Sequence, residues 1–147
     1  MSLEERDEIR DGLEQLGWDA HVCSGEADCC IARLLEYSPS SSSTAVLSRD
    51  SDFLFHRPVK NVLCPVKGGL QLITREDVLK AFQMDEDELQ LLAVVSTSDY
   101  ATSVRHHGLV RNHKSIKDLA VPPGPDRVRR MLDKYLATVG DMDYRNS

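Results

Sequence analysis

The sequence predicts an α/β fold, and three observations carry that expectation. Amphipathic segments of helical period alternate with short apolar runs of strand type; 147 residues with 41% apolar and 29% charged side chains suit one ordinary globular domain; and acidic pairs fall at the junctions between segments. Open α/β folds gather their ligands where strands end, so acids at such junctions are candidates for a functional site.

Residues 3 to 16 place Leu3, Ile9, Leu13 and Leu16 at helical spacing among acids and arginines, and Gly17 stops that helix. A short strand is expected over Trp18 to Cys23. Ser24 then caps a second helix reaching about Tyr37, with Ala27, Ile31, Leu34 and Leu35 on its apolar side. The run SPSSSS, residues 38 to 43, is a loop by composition. Ala45 to Ser48 reads as a brief apolar strand delivering Asp50 and Asp52, and Asn61 to Val66 with Leu70 to Ile73 as a hairpin turning at Lys67, Gly68 and Gly69. Thr74 and Asp85 each precede a carboxylate by three positions, ahead of Val78, Leu79 and Phe82 in one case and Leu89, Leu92 and Val95 in the other, which marks two helix starts. The acids at 85 to 88 are therefore a helix's first turn; they lack the glycine and spaced oxygen ligands of a calcium loop. A last helix is expected from about Asp126 to Val139, after the breaker VPPGP.

Composition narrows the function classes. No apolar run approaches the roughly 20 residues of a membrane helix, and the acidic start MSLEERDE has no signal-peptide character, so a soluble intracellular protein is expected, without a membrane partner. Cys23, Cys29, Cys30 and Cys64 show no C-x-x-C spacing and read as reduced thiols at buried positions. Residues 1 to 36 carry ten acids and three bases, whereas residues 105 to 134 carry eight bases and three acids. The basic stretch is the phosphate-facing candidate.

Five carboxylates carry the chemistry: Glu26 and Asp28 in SGEAD, Asp50 and Asp52 in LSRDSD, and Asp99 in STSDY. Residues i and i+2 of an extended segment point the same way, so Asp50 and Asp52 would offer both carboxylates to one cation. Glu26 and Asp28 fall in the first turn of a helix, where the dipole and unpaired amides favour negative charge. Carboxylates gathered within a few ångströms repel unless a cation lies among them, and oxygen-only ligands select Mg²⁺ or Mn²⁺ over zinc.

The order SGEADCCIARLL, AVLSRDSDFL, DEDELQLLAVVSTSDY and SVRHHG resembles the internal region of the flap endonuclease and XPG-type nucleases of the PIN-like superfamily, over roughly residues 10 to 120. The family pattern is E-A-[DE] opening a helix, a strand ending in D-x-D, and a helix running into G-[SN]-D-Y before a glycine-rich helical hairpin. The resemblance implies a three-layer PIN-like fold with a short mixed or mainly parallel sheet: residues 1–100 as the nuclease region, 101–120 as a degenerate helical hairpin, and 121–147 as a C-terminal helix and tail. It also implies a divalent-metal-dependent nuclease acting on branched or flapped DNA, and the nucleus as its compartment. Two metal ions, Mg²⁺ or Mn²⁺, would be held by Glu26, Asp28, Asp50, Asp52 and Asp99, activating water and stabilising the departing oxygen. By the same resemblance Asp28 bridges the two ions.

The chain departs from the pattern in three places, the smallest being Thr97, which stands where the family has glycine although Ser98, Asp99 and Tyr100 persist. The family's N-terminal strands, with two further metal-binding aspartates and the basic arch, have no counterpart here, so the expectation is a half-site, with one of the family's two ions retained, that another segment or protein completes. The hairpin reads VRHHGLVRNHKSIKDL, in which His107 stands near the first glycine position and only Gly108 remains. Backbone amides at that turn, with Arg105, Arg111, Lys114 and Lys117, would supply the phosphate contacts. His106, His107 and His113 lack a spaced partner for zinc and read as phosphate neighbours or surface residues. The competing expectation is a catalytically silent PIN-like module that binds nucleic acid or protein. A haloacid-dehalogenase-like phosphatase would also use D-x-D after a strand, but Phe53-Leu54-Phe55 lacks its small-residue turn, and SGEAD and SDY stay unexplained.

Overall fold

The computed structural model describes residues 2–37, 44–96 and 108–145. Among them are six α-helices, one 3-10 helix and a three-stranded mixed sheet, which makes the fold α/β. Helix α1, Leu3–Gln15, starts on a capping box: the Glu5 amide donates to Ser2 Oγ at 3.2 Å and the Ser2 amide to the Glu5 carboxylate at 2.6 Å. Its far end closes at Gly17, whose φ of +83° suits a residue without Cβ. The Gly17 amide reaches the Glu14 carbonyl and the Trp18 amide the Leu13 carbonyl. This closure corrects the strand expected over Trp18 to Cys23: the Trp18 amide is used to end α1, and residues 18–23 pair with no strand.

Helix α2, Ala27–Glu36, has its N-cap two residues later than expected, at Glu26 in place of Ser24. The chain bends at Ser24 and Gly25, and Glu26 takes the N-cap position without a side-chain capping bond. Ala32 and Leu35 are buried, whereas Leu34 stays exposed. The Ser-rich run 38–43 lies outside the described residues.

Strand β1, Val46–Leu47, runs parallel to β2, Asn61–Val66, pairing Val46 with Val62 and Leu47 with Leu63. Strand β3, Gly69–Thr74, returns antiparallel with six pairs from Val66 and Gly69 to Asn61 and Thr74. The two-residue turn Lys67-Gly68 is the expected hairpin, with Gly68 at a φ of +93°. The mixed form of the sheet is thus the observed one, and its parallel part is only two pairs long. Pro65 supplies the reason. The Ser48 amide donates to the Leu63 carbonyl at 3.1 Å, so the next bond of a parallel ladder would run from the amide of residue 65 to the Ser48 carbonyl. Proline has no amide hydrogen, and β1 ends there.

The chain then turns into the 3-10 helix Ser51–Phe55, which drives Phe53 beneath the sheet beside Leu35, Val46, Val59 and Val62. These five form the smaller of two cores. The larger joins α4, Glu86–Val95, to α5, Leu109–Lys117, and α6, Arg127–Arg145, around Leu89, Leu91, Leu92, Ile116, Met131 and Tyr135. Each fully buried leucine contributes about 1.5–3 kcal/mol. Thr74 and Asp85 cap α3, Arg75–Phe82, and α4 as the spacing predicts, with the Asp77 amide on Thr74 Oγ1 at 3.1 Å and the Glu88 amide on Asp85 Oδ1 at 3.0 Å. The sheet face opposite the smaller core is uncovered among the described residues: Leu47, Leu70 and Leu72 are 65%, 59% and 54% exposed. No helix among the described residues is long and apolar enough to cross a membrane.

Arg75 connects the two cores. Its side chain is 2% exposed; Nε donates to both Glu86 carboxylate oxygens at 2.9 and 2.8 Å, and Nη1 to the carbonyls of Leu54 and His56 at 2.8 and 3.1 Å. The Arg75 hydrogen bond holds the Glu86 carboxyl below its ordinary range against the opposing effect of burial. Arg75→Ala should lower stability by about 3 kcal/mol in urea denaturation, the low end for a broken buried pair because Glu86 remains partly solvated. A depressed carboxylate stabilises above its unfolded pKa, near 4.3 for glutamate, and that contribution is lost as pH falls through the lower folded value. Glu86→Gln should therefore destabilise the protein at pH 7 and make its stability less steeply dependent on pH below about 4.3, as read from melting temperatures across that range.

Candidate functional site

The segment from Ser48 to Phe55 sets the positions of Asp50 and Asp52. The Asp50 amide donates to Ser48 Oγ at 3.0 Å, and Asp50 Oδ1 accepts from the Asp52 amide at 2.9 Å. Asp50 is thus the N-cap of the 3-10 helix and is exposed, while Asp52 lies half-buried in that helix's first turn. This corrects the extended i, i+2 platform. Burial of Phe53, 4% exposed, winds the chain at this point, so the two carboxylates stand on a helical turn with one Asp50 oxygen engaged by the backbone.

Glu26 is exposed at the N-cap of α2, and Asp28 is half-buried in its first turn. Asp99 lies outside the described residues. Among the described residues, no three or more His, Cys, Asp or Glu side chains are grouped as a metal site.

A cavity of about 520 Å³ opens beside Asp52. Ser51, Asp52, Leu54 and Phe55 of the 3-10 helix line one side, Val78 and Phe82 of α3 another, and Ser96 and Leu109 complete it. Ser96 follows α4 and Leu109 begins α5, so both ends of the connection that carries Asp99 in sequence open on the cavity that holds Asp52. Asn112 holds those ends together. Fully buried, it donates from Nδ2 to the Val95 carbonyl at 3.0 Å and to Ser96 Oγ at 3.4 Å, while Oδ1 accepts from the Tyr135 hydroxyl at 2.7 Å. Burial pushes the Tyr135 phenol up, keeping it protonated and able to donate. The sequence reading missed Asn112. Its signal is position, one turn before the core residue Ile116 on the inward side of α5.

The candidate phosphate-binding residues divide. Gly108 is the N-cap of α5, and Arg111 and Lys114 are exposed on that helix. Arg105 and His107, with His106, lie outside the described residues. Lys117 has a structural role: Nζ donates to the Gln83 carbonyl at 2.7 Å and to Glu88 at 3.1 Å. Its donation supports the end of α3, where Gln83 adopts a left-handed φ of +54°. His113 is likewise part of the packing, with Nε2 2.7 Å from the Phe82 carbonyl and its ring 5.9 Å from the Phe82 ring. That corrects its reading as a surface or phosphate-neighbouring residue.

The acids at 85 to 88 act as a hub, beyond their expected role as a helix start. Asp85 pairs with Arg127 at 2.7 Å, Glu86 with Arg75, Asp87 with Arg57 and Arg127, and Glu88 with Lys117. Burial opposes ionisation of Asp85, but the Glu88 amide and the Arg127 guanidinium outweigh it and lower its pKa. Two cations of the basic stretch, Lys117 and Arg127, are therefore spent within the fold. The four cysteines are free thiols, Cys29 exposed and the others half-buried, which corrects the buried positions expected of them. A hydrogen bond with Cys30 and partial burial raise the Cys23 pKa, so Cys23 is a protonated thiol at neutral pH.

No protein-family model matches this chain, and a search of curated proteins returns no match. Tyr135→Phe should cost about 1–2 kcal/mol of stability, since the buried Asn112 oxygen loses its donor without a change of shape. Chemical denaturation at pH 7 measures that cost, and amide exchange at Val95 and Ser96 should rise with it.

Proposed function

We propose that this chain is the internal region of a flap endonuclease or XPG-type nuclease of the PIN-like superfamily, hydrolysing phosphodiesters in branched or flapped DNA with Mg²⁺ or Mn²⁺. One observation carries the reading beyond the motifs: Asp52 lines the cavity on which both ends of the Asp99-bearing connection open. The D-x-D and S-D-Y motifs are 47 residues apart at Asp52 and Asp99. The fold nevertheless brings the flanks of the second to the first.

The donor set fits the proposed ion. Glu26, Asp28, Asp50, Asp52 and Asp99 offer oxygen alone, which suits a hard divalent cation. When bound, such ions activate water and offset the charge that develops on the phosphate. The chain's own residues would divide the remaining work. Asp52 supplies negative charge at the cavity wall, and Asp50, through its bond to the Asp52 amide, orients the turn that presents it. Arg111 and Lys114 on α5, with the Gly108 turn, would receive the DNA backbone. Completion of the site by the family's N-terminal half is part of the proposal, as is a nuclear location.

A PIN-like module that binds nucleic acid or protein without cutting it is the second reading. It is favoured by the engagement of Asp50 Oδ1 in capping and of Lys117 in an ion pair.

Purified protein incubated with flap, bubble and single-stranded DNA should cut in the presence of Mg²⁺ or Mn²⁺ but not in EDTA. Asp52→Ala should slow cutting by about 100-fold or more, the scale of losing one electrostatic stabiliser. Asp50→Asn separates two roles, because asparagine caps a helix as well as aspartate but lacks its charge. An inactive, normally stable Asp50→Asn protein identifies Asp50 as a ligand, whereas full activity confines it to capping. Absence of metal-dependent cutting at high protein concentration, together with DNA binding, would replace the nuclease by the silent module.

A further inference from the structure

The outer edge of the sheet has the properties of a pairing surface. Strand β3 is six residues long, reads GLQLIT and ends the sheet order β1-β2-β3. It contains no charge, no proline and no bulge, the features that normally protect an edge strand. The opposite edge, β1, is only two residues long.

The hydrogen-bond phase of the hairpin shows which β3 groups face outward. The Arg75 amide donates to the Lys60 carbonyl at 2.8 Å, which makes residues 60 and 75 a bonded pair. Bonded and non-bonded pairs alternate along an antiparallel ladder, so Leu63 with Leu72 and Pro65 with Leu70 are non-bonded pairs. The Leu63 carbonyl accordingly points toward β1, where it accepts from Ser48. The amides and carbonyls of Leu70 and Leu72 point away from β2, to an edge that is open among the described residues. The side chains of the same two residues lie on the uncovered sheet face, in one row with Leu47 and Leu63.

We propose that β3 pairs antiparallel with β3 of a second copy of this chain, about a twofold axis through Gln71. In this register Leu70 of each copy exchanges two backbone hydrogen bonds with Leu72 of the other, and the two Gln71 side chains face each other. Two three-stranded sheets become one of six strands, and the exposed leucine rows join into one apolar face. Charge selects the second copy as occupant. The same register places the hairpin tip of each copy, with exposed Lys67, beside the first turn of α3 in the other, where Glu76 and Asp77 are exposed. Two such contacts form by symmetry, as an isologous interface requires. The pairing is independent of the chemistry proposed at Asp52.

Sedimentation velocity of the full chain between about 5 and 500 µM, the range of a weak-to-moderate interface, should show monomer and dimer in exchange. Leu72→Pro removes an outward-facing amide, and one side chain of the leucine row, without breaking a β2–β3 hydrogen bond, so it should leave that ladder and the far-ultraviolet spectrum intact while shifting the protein to monomer throughout. Lys67→Glu and Glu76→Lys should each weaken the dimer by about 3- to 10-fold, and the double variant should recover most of that loss, as for an exposed charge pair made twice. A wild-type chain that stays monomeric across the range would overturn the proposal. So would a dimer unaffected by Leu72→Pro, or single charge reversals whose effects merely add in the double variant.

Discussion

The buried guanidinium of Arg75 is the constraint on which the rest of the arrangement depends. It sits at the junction of β3 and α3, yet its bonds go to the 3-10 helix, through the Leu54 and His56 carbonyls, and to α4, through Glu86. A charge at 2% exposure is tolerable only when it is paired, so the 3-10 helix and the start of α4 are held where they meet Nε and Nη1, while Nη2, without a hydrogen-bond partner, lies 2.6 Å from Glu86 Oε2 as an ion pair. The cavity beside Asp52 lies among these same elements.

The acidic first turn of α4 extends that logic outward. Four consecutive acids take cations from four places: Arg57 after the 3-10 helix, Arg75 at the sheet, Lys117 at the end of α5 and Arg127 at the start of α6. Exposed pairs of this kind contribute little singly, but here they converge on one helix N-terminus whose dipole already favours negative charge. They also change the meaning of the charge distribution. The basic stretch toward the C-terminus partly neutralises this hub, through Lys117 and Arg127.

Asn112 performs for the second core what Arg75 does at the junction. With Tyr135 it satisfies the polar groups at the end of α4 inside an apolar cluster, which sets the point where the chain leaves α4 and the point where α5 begins. Those two points bound the cavity. Position at the candidate site is therefore decided by residues that belong to neither carboxylate motif.

The sequence by itself determined what depends on near neighbours. The caps at Thr74 and Asp85, the glycine that ends α1, the two-residue hairpin turn and the helical faces of α4 and α6 are local matters of backbone geometry and side-chain period, and they are legible because the residues responsible lie within a few positions of one another. The carboxylate motifs were legible in the same way as composition at junctions. The tertiary structure alone decided what those local pieces were used for. It wound the segment of Asp50 into the cap of a 3-10 turn, where an extended platform was expected, because Phe53 had a core to enter; it turned Lys117 and His113 into packing partners of α3; and it left Leu70 and Leu72 on an open face where an alternating strand would ordinarily carry polar residues. Each outcome depends on which distant surface arrives opposite a side chain, and contact across the fold, unlike helical period or capping, has no signature in adjacent residues.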